Sequence, residues 1–243
     1  MAFIAHYPTM KSKFVKLKDF KQPYFSRGGV FQINRKETQE EPVEFMILFN
    51  GTGDPTYMGL LIRTGPEAGR ILVNLPNECL DEGTRMINKQ WLLKNWEKYV
   101  CDCDVKDVLY KDYYQIENYI RSDIEFESYH INPEDNNNFI KLADYEEDFL
   151  DFGGVFRLDA EWPYEEKVDF IISEIPSSSK DRKYALVVSS GVKSGHILVF
   201  LPNECLDENE KLSKNWMLEN WEKWVYPEAD IQNVYYTKRY NLS

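Results

Sequence analysis

The chain repeats itself. Phe14-Val15-Lys16-Leu17-Lys18-Asp19-Phe20 returns as Phe139-Ile140-Lys141-Leu142-Ala143-Asp144-Tyr145, Gly28-Gly29-Val30-Phe31 as Gly153-Gly154-Val155-Phe156, and Val43-Glu44-Phe45-Met46-Ile47 as Val168-Asp169-Phe170-Ile171-Ile172, all 125 residues apart. Leu75-Pro76-Asn77-Glu78-Cys79-Leu80-Asp81 is repeated identically from Leu201 to Asp207, 126 residues on, and Trp91 to Val100 returns as Trp216 to Val225 at 125. A fixed order with a spacing that drifts by one is what duplication followed by small loop insertions leaves behind. It constrains the fold more than any other feature, because whatever one copy adopts the other must adopt too. The 243 residues divide into a first unit at 1–110, a connector at 111–135 and a second unit at 136–243.

Within each copy the pattern predicts an α+β unit: a mostly antiparallel sheet and one packed amphipathic helix. Strands are expected at Phe14–Leu17, from Val30, at Val43–Phe49, Tyr57–Arg63 and Arg70–Asn74, with Gly- and Pro-rich turns between them. In the second copy the last two fall at Tyr184–Ser189 and His196–Phe200. From Ile87 to Val100 the apolar residues Leu92, Trp96 and Tyr99 share one face at helical spacing, and Lys94, Glu97 and Lys98 share the other. So wide an aromatic stripe must be covered, and the sheet of its own copy is the nearest large surface. Val108-Leu109-Tyr110 and Val234-Tyr235-Tyr236 read as closing strands added at an edge or as a hairpin. The connector is acidic and rich in Tyr, and a helix around Asp112–Arg121 packed between the copies is expected there.

Aromatic side chains make up 15% of the chain, too much ring surface for a disordered polymer. Apolar runs such as Met46-Ile47-Leu48-Phe49 are far too short to span a bilayer, and the N-terminus lacks the basic start and apolar stretch of a secretion signal. A cytoplasmic location with four reduced cysteines follows as the expectation. The net charge of −12 is uneven: +1 over residues 1–110, −5 over 111–135 and −8 over 136–243. Phosphate backbones repel such a chain, so nucleic acid is not an expected partner, whereas a protein with a basic surface is.

No catalytic constellation emerges, and no catalytic, cofactor or metal residue is assigned. In the repeated Leu-Pro-Asn-Glu-Cys-Leu-Asp segment, Glu78 with Asp81 and Glu204 with Asp207 could serve a hydrolase or transferase whose site lies between the copies. The simpler reading gives Leu and Cys to the core, Pro to the strand exit and Asn or Asp to a turn cap. No His accompanies both copies: His196 matches Arg70, and His6 and His130 have no counterparts. Cys101-Asp102-Cys103-Asp104 lacks a second pair for zinc. Gly28-Gly29 and Gly153-Gly154 match no phosphate loop and read as turns or close backbone approaches.

One segment separates the copies. Lys18-Asp19-Phe20-Lys21-Gln22-Pro23-Tyr24-Phe25 becomes Ala143-Asp144-Tyr145-Glu146-Glu147-Asp148-Phe149-Leu150, followed by Asp151. Packing cannot require the change, since the first copy folds without it. Glu146, Glu147, Asp148 and Asp151, interleaved with Tyr145 and Phe149, are therefore the expected partner-binding residues, offering charge steering and aromatic anchors.

The helix segments Trp91-Leu92-Leu93-Lys94-Asn95-Trp96-Glu97-Lys98 and Trp216 to Lys223, in a compact, acidic, aromatic and duplicated chain, resemble those of bacterial polymorphic-toxin immunity proteins. The resemblance implies a small α+β binder that neutralises a cognate toxin, either covering its active site or holding it in an inactive form. It carries over no site residue. A third class, besides enzyme and immunity protein, is a bacterial or phage accessory protein that self-associates, for example as a homodimer, through unpaired strand edges.

Overall fold

The computed structural model describes residues 14–33, 42–50, 57–112, 139–161, 164–175 and 182–240. In the first unit, β1 (Val15–Lys16), β2 (Tyr24–Phe25), β3 (Val30–Ile33), β4 (Val43–Asn50), β5 (Tyr57–Ile62), β6 (Ile71–Asn74) and β7 (Ile87–Asn88) precede helices α1 (Lys89–Lys94) and α2 (Trp96–Tyr99) and strand β8 (Leu109–Lys111). The second unit repeats the order. Its strands are β9 (Ile140–Lys141), β10 (Phe149–Leu150), β11 (Val155–Asp159), β12 (Lys167–Glu174), β13 (Tyr184–Val188), β14 (Ile197–Phe200) and β15 (Leu212–Ser213), followed by α3 (Lys214–Trp224) and β16 (Tyr235–Thr237). Each unit is a six-stranded antiparallel sheet, ordered β1-β8-β3-β4-β5-β6 or β9-β16-β11-β12-β13-β14, with a two-stranded ribbon (β2-β7 or β10-β15) leading into its helix. The architecture is the tandem α+β duplication expected of the repeat.

Two local expectations need correction. The closing strands do not add at an edge: β8 inserts between β1 and β3, and β16 between β9 and β11. The reason is the tyrosine each carries. Tyr110 and Tyr236 are fully buried, and an internal position is what covers such a ring from both sides. The segment predicted as one helix from Ile87 opens instead as the ribbon strand β7, and in the first unit it breaks at Asn95. Asn95 Nδ2 donates to the Trp91 carbonyl at 2.9 Å, and Asn220 Nδ2 to the Trp216 carbonyl at 3.0 Å, which explains the repeated Asn before the buried Trp. The predicted connector helix lies outside the described residues beyond Asp112.

The helix face packs on its own sheet. Trp96 meets Phe31 edge-on at 5.3 Å and 76°, and Trp221 meets Phe156 at 5.2 Å and 74°. The opposite face of each sheet is also buried, against the other sheet. Val30, Met46, Leu48 and Leu61 of the first unit form one cluster with Phe139, Val155, Ile171, Val187 and Tyr240 of the second. The molecule is therefore four layers: helix, sheet, sheet, helix. A strand buried on both faces needs apolar residues in succession, as Met46-Ile47-Leu48 supplies in β4.

A pseudo-two-fold relation governs the seam. Phe49 N donates to the Gly195 carbonyl at 2.8 Å, and the matched Glu174 N donates to the Gly69 carbonyl at 2.9 Å. Gly69 and Gly195 both have φ above +80° or at it, and a Cβ there would stand 2.2 Å from Gly153 N and 2.3 Å from the Ile47 carbonyl oxygen, respectively. Only glycine lets the backbones approach this closely. Beside these contacts the copies have diverged. Arg27 of the first unit donates to the carbonyls of Ser194 (2.9 Å) and Val192 (3.1 Å), while its counterpart Phe152 lies under the guanidinium of Arg70 at 5.0 Å. At the outer edges, a bulge at the same place in β6 and β14 interrupts the ladder. The opposite edge strands β1 and β9 are only two residues long, and both devices blunt edge pairing.

Candidate binding surface

The acidic loop of the second unit is a fixed structure. Leu142 and Leu150 are buried at its two ends, and Leu142 N donates to the Val234 carbonyl at 2.8 Å. Lys214, the first residue of α3, holds the middle: its Nζ donates to the Tyr145 carbonyl at 2.6 Å and its N to the Asp148 carbonyl at 2.9 Å. Lys89 does the same in the first unit, with Nζ donating to the carbonyls of Lys18 (3.2 Å) and Phe20. Matched scaffolds thus present unlike side chains.

On this scaffold the six sequence-predicted residues separate. Glu146 and Asp148 are exposed, and Asp151 is half-buried with its N–H on the Tyr236 hydroxyl at 3.3 Å. Glu147 is ion-paired with Lys238. The hydrogen bond from Lys238 holds the Glu147 carboxyl below the usual range, and the same bond raises Lys238. Tyr145 is 7% exposed, edge-on to Tyr236 at 4.8 Å, and burial followed by Glu147 raises its hydroxyl pKa. Phe149 is half-buried under Lys211 Nζ, 3.4 Å from the ring centroid. The face that reads as uniformly acidic is mixed in space.

Two shallow grooves flank edge strand β9. One, of about 650 Å³, runs between Ile140, Lys141, Asp144, Tyr145, Glu146 and Tyr235, so a lysine stands among its carboxylates. The other, of about 420 Å³, lies between Tyr145, Asp151, Thr237, Lys238 and Arg239. Ile140 is 42% exposed between them. Ile140 and Tyr235 are not marked in the sequence, because the first is an unremarkable strand residue and the second lies ninety residues from Tyr145; Tyr235 also packs against the seam cluster.

The alternative acidic sites do not assemble. Asp81 Oδ1 accepts from Gly83 N at 3.1 Å, and Asp207 Oδ1 accepts from Asn209 N and Lys211 N at 2.8 Å each, so both cap turns. Cys79 and Cys205 are buried in the helix-side cores of their units, and burial pushes both thiols up to about 12. With the seam between those two cores, Glu78 and Asp81 stand on one outer layer and Glu204 and Asp207 on the other. Among the described residues no three His, Cys, Asp or Glu side chains converge as a metal site. Cys103 Sγ instead accepts from Trp96 Nε1 at 3.3 Å. No described helix is long and apolar enough to cross a membrane.

A second polar group, unforeseen from sequence, lies within the seam. Arg157 makes a two-pronged pair with Asp169, Nε to Oδ1 and Nη2 to Oδ2 at 2.8 Å each, and Arg63 pairs with Glu44. Arg63, Glu44 and Asp169 are at most 1% exposed and Arg157 is 4% exposed, so the network is closed to a ligand and ties the units together. The visible signal was an acid inside an apolar strand in both copies, Glu44 and Asp169.

Comparison with known proteins agrees with the repeat. The family model described as Immunity protein 45 matches residues 20–110 and again 142–236, once on each unit. The chain belongs to the Immunity protein 45 family. Each match begins after the edge strand (β1 or β9) and ends within the closing strand (β8 or β16), so one family module covers the rest of one sheet with its helix. No curated protein and no solved structure matches the chain. Membership in the Immunity protein 45 family supports an immunity role and the resemblance drawn from the helix segments.

Proposed function

We propose that the chain binds and neutralises a cognate toxin in the cytoplasm, and that the second unit supplies the contact through Tyr145, Glu146, Glu147, Asp148, Phe149 and Asp151. The observation that carries this reading is the pairing of a family match on both units with a copy-specific acidic loop on a common, fixed scaffold. Glu146 and Asp148 supply the exposed charge. Tyr145 and Glu147 line the larger groove beside β9, Asp151 lines the smaller one, and Phe149 is half-buried under Lys211. A rigid loop loses little conformational entropy on binding, which favours affinity.

The test is co-expression with the toxin, followed by growth rescue, inhibition of the purified toxin at a fixed stoichiometry and stopped-flow association. Reversing Glu146 and Asp148 to Lys spares the Glu147–Lys238 pair and should lower the association rate, with a weakened salt dependence, at an unchanged melting temperature. Exposed charges act over a Debye length of about 8 Å at physiological ionic strength, so the wild-type rate should fall as salt rises. Lys18 and Lys21 changed to Glu in the first unit should do much less. A double reversal that protects cells and binds toxin as the wild type does would remove this loop from the interface.

A further inference from the structure

Each sheet carries one polar row across its seam face, and the two rows are one frame with different side chains. The first row is Gln32 of β3, Glu44 of β4 and Arg63 just past β5. The second, at matched positions, is Arg157 of β11, Asp169 of β12 and Ser189 just past β13. The backbones match hydrogen bond for hydrogen bond. Arg63 N and Ser189 N each donate to the carbonyl of their acid at 2.8 Å, and the N–H groups of Glu44 and Asp169 each donate to a hydroxyl, Thr64 or Ser190, at 2.9 Å. What has moved is the arginine, which follows the acid in the first row and precedes it in the second. Each row still holds one acid and one arginine, so charge balance does not require the move. Tyr240 supplies a reason. Its backbone makes a parallel bridge with Thr64 of the first unit, and its ring lies between the rows. One ring face covers Arg63 at 3.9 Å, while the hydroxyl lies 2.8 Å from Asp169 Oδ2 and 2.7 Å from Ser189 Oγ. At the second acid the tyrosine hydroxyl stands where the side chain from position 189 would have to reach. Ser189 is 0% exposed, so an arginine there and the Tyr240 hydroxyl would compete for one space.

We propose that the seam is selective for unlike units: Tyr240 takes an arginine-bearing row on its ring face and a serine-bearing row at its hydroxyl, and rejects a second arginine-bearing row. The partner that each seam face fits is therefore the unlike unit, from the same chain or from a second copy, and not its own kind. The attractive part is the cation over the ring together with the buried hydrogen bonds of the hydroxyl. The repulsive part is the lack of room at Ser189. Pairing of two first units would set one arginine row against another, so the tandem chain keeps its own two units together. None of this depends on the immunity reading.

The full chain tests this. Arg157→Gln combined with Ser189→Arg gives the second row the composition of the first at unchanged net charge. Its melting temperature should fall by roughly 5–15 °C, the scale of an overpacked core that also loses buried hydrogen bonds. An opened seam exposes the cluster of Val30, Met46, Ile171 and Val187, so an apolar dye should bind while the tryptophan emission of the helix-side cores stays native. In a Tyr240→Ala background the contested space is free, and the same row change should cost less than half as much in melting temperature. If the arginine variant does not fold, Ser189→Val carries the test in its place. It fills the same space without charge, and its loss should also shrink in the Tyr240→Ala background. Equal losses in the two backgrounds, or a second-row arginine accepted with no change in melting temperature, would overturn the proposal.

Discussion

Tyr240 donates its hydroxyl hydrogen to Asp169 Oδ2 at 2.8 Å, deep in the seam between the two units. The same hydroxyl lies 2.7 Å from Ser189 Oγ, and the ring covers the guanidinium of Arg63 at 3.9 Å. One tyrosine near the end of the chain therefore joins the ion pair of the first unit, Arg63–Glu44, to that of the second, Arg157–Asp169. Removing the hydroxyl and removing the carboxylate should differ in cost. Tyr240→Phe should destabilise by about 1–3 kcal/mol, the cost of lost buried hydrogen bonds. Asp169→Asn, which strands the Arg157 charge, should cost about 3–5 kcal/mol. Urea unfolding of the two variants decides it, and equal losses would show that Asp169 is not the centre of the network.

The pseudo-symmetric backbone contacts make a paired prediction. Gly69→Ala and Gly195→Ala each drive a Cβ into the opposite unit at a positive φ, so each should cost more than about 1 kcal/mol. Gly65→Ala has the same positive φ and nothing within 4 Å, so it carries the backbone strain alone. Thermal unfolding in which all three variants lose the same stability would deny that the seam depends on close approach.

The matched tryptophans should be equivalent in bulk and unlike in polarity. Trp96→Ala and Trp221→Ala should each cost about 3–5 kcal/mol, because both rings fill the helix–sheet core. Trp96 Nε1 has Cys103 Sγ as acceptor, whereas Trp221 Nε1 is buried with no partner among the described residues. Trp221→Phe, which removes an unsatisfied donor, should therefore be milder than Trp96→Phe by about 1 kcal/mol. The reverse order in denaturant midpoints would contradict the pairing.

His196 gives the protein an acid-side weakness. Burial first, then Arg27 and Lys193, lower its pKa from 6.5 to about 4, beside the Phe49 ring at 6.1 Å. Above pH 6.5 the ring is neutral folded or unfolded, and it contributes nothing to the pH dependence. Between 6.5 and about 4 the unfolded chain takes up a proton that the folded chain refuses, so stability falls as pH falls through that window. Allowing for solvent screening of a half-exposed group, the loss should be on the order of 1 kcal/mol. Melting curves of His196→Gln should be flatter than wild type across that range; parallel curves would assign the acid sensitivity elsewhere.

The duplication, the α+β class and the buried Trp on each helix could be read from sequence because each is written in local order: matched segments, alternation in strands, helical spacing. Copy comparison also isolated the loop at Tyr145–Asp151, since two sequences on one framework expose whatever packing does not require. The seam could not be read that way. Which face of a sheet meets another sheet depends on contacts between residues more than a hundred positions apart, and a run such as Met46-Ile47-Leu48 says that both faces are buried without saying by what. Gly28 and Gly153 read as turns or close backbone approaches, and only the tertiary structure supplied their neighbours, Ser194 and Ala68. Charge was the least legible property. Glu147 counts as acidic in sequence and is paired with Lys238 in space, because ion pairing depends on distance through the fold and not along the chain.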